Sequence, residues 1–388
     1  MARKQQEGGP SGLVVLDKPA GFTSHDVVAR MRRVAGTRRV GHGGTLDPMA
    51  TGVLIVGVNK ATKLLTWISG ESKTYEATIR LGASTVTDDA EGEVLERASA
   101  AALEAVSEEA IRAGIRSLTG EILQVPSAVS AIKVGGVRSY ARVRSGQDVE
   151  LAARPVSIGE FALHAIRRVA DAGEAGSGGQ AAGAGDAGAH EAGPGGPGFD
   201  LDVTVSCSSG TYIRALARDL GRELGVGGHL TALRRTRIGE VGLEDASTLE
   251  ELGAAAEAGR PLPLLPLETA ARRLFAVRGL TAQEATDLSN GRWIAPSAAP
   301  GGSGDEEASG SAPERDAAPA APAAPEAAGP AREKDDGVVP ASRLTACYAP
   351  DGRLVALAQD QHRRGRHVAV PHLVFESGQR FGAEGTAS

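Results

Sequence analysis

Residues 41–54 constrain this chain more than any other stretch: Gly41-His42-Gly43-Gly44-Thr45-Leu46-Asp47-Pro48-Met49-Ala50-Thr51-Gly52-Val53-Leu54. Three glycines and an ionisable pair, His42 and Asp47, precede an apolar run, and no helical or strand period shows before Val53. Glycine at 41, 43 and 44 permits positive φ and close approach of a neighbouring backbone. Pro48 biases Asp47 away from the right-handed helical region, into an extended or turn conformation. Residues 53–58 then read as a buried strand. The stretch predicts a loop that presents one carboxylate and one imidazole from the edge of a core strand. Binding and catalytic groups concentrate on loops held this way. An Asp that merely starts an Asp-Pro turn is the plainer alternative.

At 388 residues the chain has room for two domains and a large core. Its two cysteines, Cys207 and Cys347, stand far apart with no second thiol near either. That excludes a disulfide framework or a cysteine zinc site and fits a reducing, cytoplasmic setting. The first dozen residues are polar, without the apolar centre of a secretory signal. No apolar run reaches the roughly 20 residues that span a bilayer, so no membrane partner is expected. The formal charge of −6 argues at first against a nucleic-acid partner. Two low-complexity segments account for it. Residues 171–198 hold four acids and no Lys or Arg, and residues 295–338 hold nine acids against three bases. Neither can bury enough apolar surface to order itself, so both are expected to be disordered. The remainder is basic, and residues 1–70 carry ten Lys or Arg against four Asp or Glu. That is the modest positive footprint a phosphate backbone requires.

Patterns along the chain place the elements. Residues 13–16 predict a short strand, Lys18-Pro19-Ala20-Gly21 a turn, and Ser24 an N-cap. The next helix puts Val27, Val28, Met31 and Val34 on one face and ends at Gly36, with Arg30, Arg32 and Arg33 elsewhere on its surface. Residues 73–81 alternate, with Tyr75, Ala77, Ile79 and Leu81 on one side. Residues 99–118 read as one amphipathic helical stretch. Strands at 156–166 and 199–207 flank the first low-complexity segment, and Leu201, Val203, Val205 and Cys207 share a face.

Ser208-Ser209-Gly210-Thr211-Tyr212-Ile213-Arg214 leads into a helix that Thr211 can cap, with Ile213, Leu216, Leu220 and Leu224 as its buried stripe. Arg214 then falls in the first turn, where the macrodipole disfavours a cation by ~0.3–1 kcal/mol. A compensating anion is expected beside it. Beyond residue 266, residues 280–291 predict a helix with a glycine C-cap, and 345–348, 353–358 and 367–370 predict short strands. His362, Arg363, Arg364, Arg366 and His367 form a basic cluster that either meets RNA or is simply solvated.

Residues 41–54 resemble the active-site motif of TruB-type tRNA pseudouridine synthases, Gly-His-Thr-Gly-x-Leu-Asp-Pro-x-Ala-x-Gly-x-Leu, with Gly43 where Thr is usual. Leu16-Asp17-Lys18-Pro19, Lys73-Thr74-Tyr75, the block at Thr85, Thr87, Asp89 and Gly92, and the stretch ending at Arg214 are similar to the family's other motifs. The matching blocks spread over 1–165 and 199–268. The resemblance implies an α+β fold: a mixed, mostly antiparallel sheet with helices, plus a small C-terminal PUA-like β-barrel. It implies a catalytic domain over 1–268 with an insertion at 171–198, and an RNA-binding domain over 269–378 interrupted by 295–338. Residues 124–142 would build the strand and mobile insertion that grip the tRNA arm.

The activity implied is isomerisation of uridine to pseudouridine in the tRNA T loop, at position 55. Asp47 would be the catalytic carboxylate and Arg214 its partner. Tyr75 would stack on the base and assist proton removal from C5. His42 would fill the gap left by the everted base, with Tyr212 and Leu233 lining the pocket and Asp89 and Lys18 on the substrate side. No cofactor, metal or guide RNA is expected, and the chain is expected to act as a monomer. Attack at C1′, attack at C6 and proton removal at C2′ all remain open to a short carboxylate. The rivals are a tRNA chaperone whose catalysis is dispensable and an aspartate-dependent hydrolase. The hydrolase lacks a second carboxylate at a diagnostic position.

Overall fold

The computed structural model describes residues 9–127, 151–170, 196–297 and 339–382, together with the backbone of two short strands at 133–134 and 137–138. The chain divides into two compact units, residues 1–270 and 271–388. Among the described residues no helix is long and apolar enough to cross a membrane.

The first unit begins with β1 (Gly12–Lys18), α1 (Ser24–Val34), β2 (Val40–His42) and β3 (Thr51–Val58). After α2 (Leu65–Gly70) come β4 (Lys73–Leu81), β5 (Ala83–Thr85), β6 (Val94–Arg97), α3 (Ala100–Glu104), α4 (Glu108–Ser117) and β7 (Gly120–Gln124). The paired two-residue strands β8 (Lys133–Val134) and β9 (Val137–Arg138) come next, then the long β10 (Arg154–Val169) and β11 (Gly198–Cys207). The unit ends with α5 (Ile213–Glu223), β12 (Gly228–Ile238), β13 (Val241–Gly242), β14 (Ser247–Thr248), α6 (Leu249–Glu257) and β15 (Leu265–Pro266). The main sheet runs β14-β1-β3-β12-β4-β11-β10-β7. It is mixed but mostly antiparallel, with parallel pairs only at β1/β14 and β3/β12 among its described ladders.

The parallel β3/β12 junction anchors the end of the motif loop. It sets Thr51 opposite Arg234 and Gly52 opposite Arg235. Gly52 has φ 98°, and a Cβ there would lie 2.2 Å from the Arg235 carbonyl oxygen, so only glycine fits. Seven of the eight residues of β3 are buried, as a strand covered on both faces requires. Leu54, Val56 and Val58 pack with Val27, Val28 and Met31 of α1, while Leu46 and Ala50 of the motif loop join the cluster of Tyr75, Ala77, Ile79, Leu216, Leu220 and Leu233.

Several sequence expectations hold: the alternation of β4, the inward face of β11 and the buried stripe of α5. Others are corrected. Thr23, not Ser24, caps α1, in a reciprocal box with Asp26. Residues 99–118 form two helices, because Ser99 and Ser107 each cap their own. Thr211 does not cap α5; its hydroxyl donates to the Ser208 carbonyl, and Tyr212 is the N-cap. Residues 196–198, expected to be disordered, are described, and Gly198 already pairs in β11. The rest of that insertion, most of 124–142 and most of 295–338 lie outside the described residues.

The second unit contains the second half of α7 (Leu267–Leu274), then β16 (Ala276–Gly279), α8 (Ala282–Ser289), β17 (Thr345–Tyr348), β18 (Leu354–Arg363) and β19 (Arg366–Val374). Thr281 and Glu284 box the start of α8, and Gly291, at φ 75°, lies just past its end. The expected barrel is not closed among the described residues. They form a four-stranded sheet, β16-β17-β18-β19, and beyond its ladder with β18, β19 makes backbone pairing only with Ile294, in a single bridge at Ala369. Arg364 and Gly365 both take positive φ in the tight β18/β19 turn, as a two-residue hairpin demands. His362 and His367 stack at 4.8 Å beside that turn.

Candidate active site

Asp47 leaves the motif loop between β2 and β3, and three devices hold that loop. The Ser24 hydroxyl, free of any capping duty, bonds both the amide (2.9 Å) and the carbonyl (3.2 Å) of Leu46. The Lys18 ammonium donates to the carbonyls of Pro19, Phe22 and Pro48 at 2.9, 2.6 and 3.1 Å. The Arg235 guanidinium donates to the carbonyls of Gly44, Thr45 and Val53 at 3.2, 3.3 and 2.8 Å. Lys18 is 0% exposed, and burial lowers its pKa to about 8, with Asp47 acting in the opposite sense. Its three protons face backbone oxygens beneath the loop, where they tie Pro48 to the turn at Pro19 and Phe22.

Arg214, in the first turn of α5, meets the anion that its place on the helix called for. Nε donates to Asp47 Oδ2 at 3.0 Å and Nη2 to Oδ1 at 3.1 Å, a two-point fork. Nη1 donates to the Thr87 carbonyl at 2.7 Å and lies 3.4 Å from Asp89 Oδ2. The guanidinium is 5% exposed and sits between two carboxylates of unlike exposure, 35% for Asp47 and 4% for Asp89. Asp89 also accepts from the Thr87 hydroxyl and the Glu91 amide. The arrangement turns one face of Asp47 to solvent and fixes the other.

A cavity of about 310 Å³ opens at this pair. Asp47, Tyr75, Tyr212, Arg214 and Leu233 line it, together with Lys73 and Arg235. It is at the small end of the range for ligand pockets, a size suited to a single base. The Tyr212 backbone is fixed by Gln124, whose side-chain amide bonds both its amide and its carbonyl. Burial pushes the Tyr75 hydroxyl above its ordinary pKa. A second cavity, of about 640 Å³, shares Leu233 and runs past Met49, Glu76, Glu91 and Arg234. Arg234 is itself held by a two-point bond to Asp17 at 3.1 and 2.7 Å.

Of the residues that the sequence singled out, Asp47, Tyr75, Arg214, Tyr212 and Leu233 share the first cavity, and Asp89 stands behind Arg214. His42 does not line it. It sits in β2 opposite Val56, edge-on to His25 at 5.6 Å, and burial, then His25, lower its pKa. Sequence reasoning missed Arg235 and Lys73. Their signal was available: each shares an inward strand face with apolar or pocket residues, Arg235 with Leu233 and Lys73 with Tyr75.

Comparison with known proteins decides the family. A family model described as TruB family pseudouridylate synthase (N terminal domain) matches residues 32–173, and one described as tRNA pseudouridylate synthase B C-terminal domain matches 214–271. A protein of Arthrobacter sp. (strain FB24) named tRNA pseudouridine synthase B is 54% identical, over 94% of this chain and 96% of its own. The chain belongs to the TruB family of pseudouridylate synthases. A Mycobacterium ulcerans relative of the same name is 50% identical over 94% of this chain and 97% of its own. A chain from an archaeal box H/ACA sRNP Nop10-Cbf5 complex shares the fold at TM-score 0.56 and 21% identity, covering 97% of this chain and 89% of that one.

The departure of this TruB-family chain at Gly43 has a packing basis. A Cβ at Gly43 would lie 2.6 Å from Ile68 Cγ2 of α2, and one at Gly41 would lie 2.9 Å from Leu65 Cδ1. Of the glycines at 41, 43 and 44, only Gly44 takes positive φ, at 100°. Restoring the usual residue, Gly43→Thr, should therefore cost about 1–3 kcal/mol of stability by overpacking. Trimming Ile68 to Ala in the same chain should return part of that loss. Urea unfolding of both variants measures it; a Gly43→Thr protein as stable as wild type would refute the packing argument.

Proposed function

We propose that this enzyme isomerises the uridine at position 55 in the T loop of tRNA, without a guide RNA, using Asp47 as its catalytic carboxylate. The observation that carries the reading is the Asp47–Arg214 fork at the mouth of a base-sized cavity walled by Tyr75 and Leu233. The names of relatives at 50–55% identity support tRNA as the substrate; the H/ACA chains are far more distant. Residues 1–268 would serve as the catalytic domain and 269–378 as an RNA-binding domain.

The target base leaves its stack and enters the cavity, at a cost of a few kcal/mol that contacts there must offset. Leu233 and Tyr75 take its faces, and His42 takes the space that it vacates. Asp47, held and oriented by Arg214, acts at the nucleoside to break the N1–C1′ bond. The freed base turns and rejoins the sugar through C5, and Tyr75 assists loss of the C5 proton. Every step keeps the base in the pocket, so no external donor or energy source enters.

The test is tritium release from C5-labelled transcripts. A tRNA with uridine at 55 should release one equivalent, and the same transcript with cytidine there should release none. Equal release from both would move the target elsewhere.

A further inference from the structure

Arg235 is 1% exposed, and among the described residues no carboxylate lies within ion-pair distance of it. Its bonds to Gly44, Thr45 and Val53 occupy three of five N–H donors. A buried cation answered only by carbonyl dipoles is costly, and such a charge is commonly kept for what it does to a neighbour. The neighbour is Tyr75. The two residues are directly opposed in the β4/β12 ladder, both are buried, and both line the first cavity. The ladder loses its register immediately after this pair, so the bulge fixes where the arginine is aimed.

We propose that Arg235 is a positioning residue for the isomerisation: it ties the Asp47 loop to the Tyr75 wall and supplies the positive charge against which the Tyr75 hydroxyl gives up and regains a proton. This deepens the function proposed above and rests on it. Once the base has rejoined the sugar through C5, that carbon still bears its hydrogen. The Tyr75 phenolate takes it as a proton; the C5–H electron pair becomes the C5–C6 double bond, and the C6–N1 π pair moves to N1, which takes a proton from water. The phenol then returns its proton to solvent.

Four other titratable groups lie around Tyr75. Lys73 shares its strand, Cys207 lies opposite Lys73 on β11, Asp47 comes from the loop and Arg214 from α5. Burial, then Arg235, lowers Lys73 to about 8, and burial pushes Cys207 up to about 11, so the thiol stays protonated. Burial raises Tyr75, and Arg235 is the largest influence pulling it back.

The experiment is single-turnover tritium release from C5-labelled tRNA across alkaline pH. Wild type should show a rate that rises with pH, and Tyr75→Phe should remove the rise. Arg235→Gln should leave KM within about twofold, lower kcat at neutral pH by about tenfold or more, and displace the rise upward by about one pH unit. Arg235→Lys should recover much of the rate, with the rise in between. A rise that stays in place in Arg235→Gln, or a change confined to KM, would overturn the inference. If Arg235→Gln does not fold, as judged by circular dichroism, Arg235→Lys decides: a displaced rise supports the inference and an unmoved one overturns it. Wild-type protein that releases no tritium would defeat the proposed function and this inference with it; release with an unmoved rise defeats the inference alone.

Discussion

Asp47→Asn should stop pseudouridine formation while tRNA still binds. Asparagine keeps the size of the side chain and, through its one carbonyl oxygen, one of the two hydrogen bonds from Arg214, while it removes the charge that the chemistry needs. The single-turnover rate should fall by at least about a thousandfold, equivalent to roughly 4 kcal/mol of barrier. Affinity should change by no more than a few-fold, because phosphate contacts and stacking supply most of it. Arg214 would keep Asp89 at 3.4 Å and the Thr87 carbonyl at 2.7 Å, so the guanidinium is not stranded. The stability loss should therefore be modest, about 1–3 kcal/mol. A binding titration beside the rate measurement separates the cases. Near-wild-type turnover would remove Asp47 from the mechanism, and joint loss of turnover and binding would make it a scaffold for the loop.

Arg214→Gln should do far more damage to the fold. It removes the partner of two carboxylates, and Asp89 is 4% exposed with nowhere to find water. Breaking a buried pair from one side costs about 3–5 kcal/mol. Asp47, at 35% exposed, can rehydrate and should add little to that figure. Activity should be lost as well, because the fork that aims Asp47 is gone. The double variant Arg214→Gln with Asp89→Asn should regain part of the stability and none of the activity. Denaturant unfolding beside tritium release tests both halves. Stability unchanged in Arg214→Gln would mean that the charge cluster is already well solvated.

The Asp47–Arg214 pair was legible before any coordinates because each half carried its own anomaly: a carboxylate in a glycine-rich loop and a cation at the wrong end of a helix. The resemblance to family motifs then joined residues 167 positions apart. Strand faces were equally readable, since alternation in residues 73–81 needs no partner to interpret. What the sequence hid were side chains whose work depends on a third element. Lys18 was placed on the substrate side by resemblance alone; nothing in its turn foretold that its three protons go to the carbonyls of Pro19, Phe22 and Pro48, brought over it by the turn and the motif loop. Ser24 looked like a cap until Thr23 took that place, which freed its hydroxyl to bind Leu46. Sequence assigned Arg235 no role of its own within Leu233-Arg234-Arg235-Thr236. Only the register of β12 between β3 and β4 shows that it points inward while Arg234 points to Asp17.

The central claim is that an aspartate in the motif loop isomerises one uridine of the tRNA T loop. Pseudouridine mapping by carbodiimide labelling and primer extension, on unmodified tRNA transcript incubated with the pure protein, tests it most directly. The account predicts a single new stop reporting position 55 with wild-type protein and none with Asp47→Asn. A transcript left unmodified at that uridine, or modified there by Asp47→Asn as fully as by wild type, would contradict it.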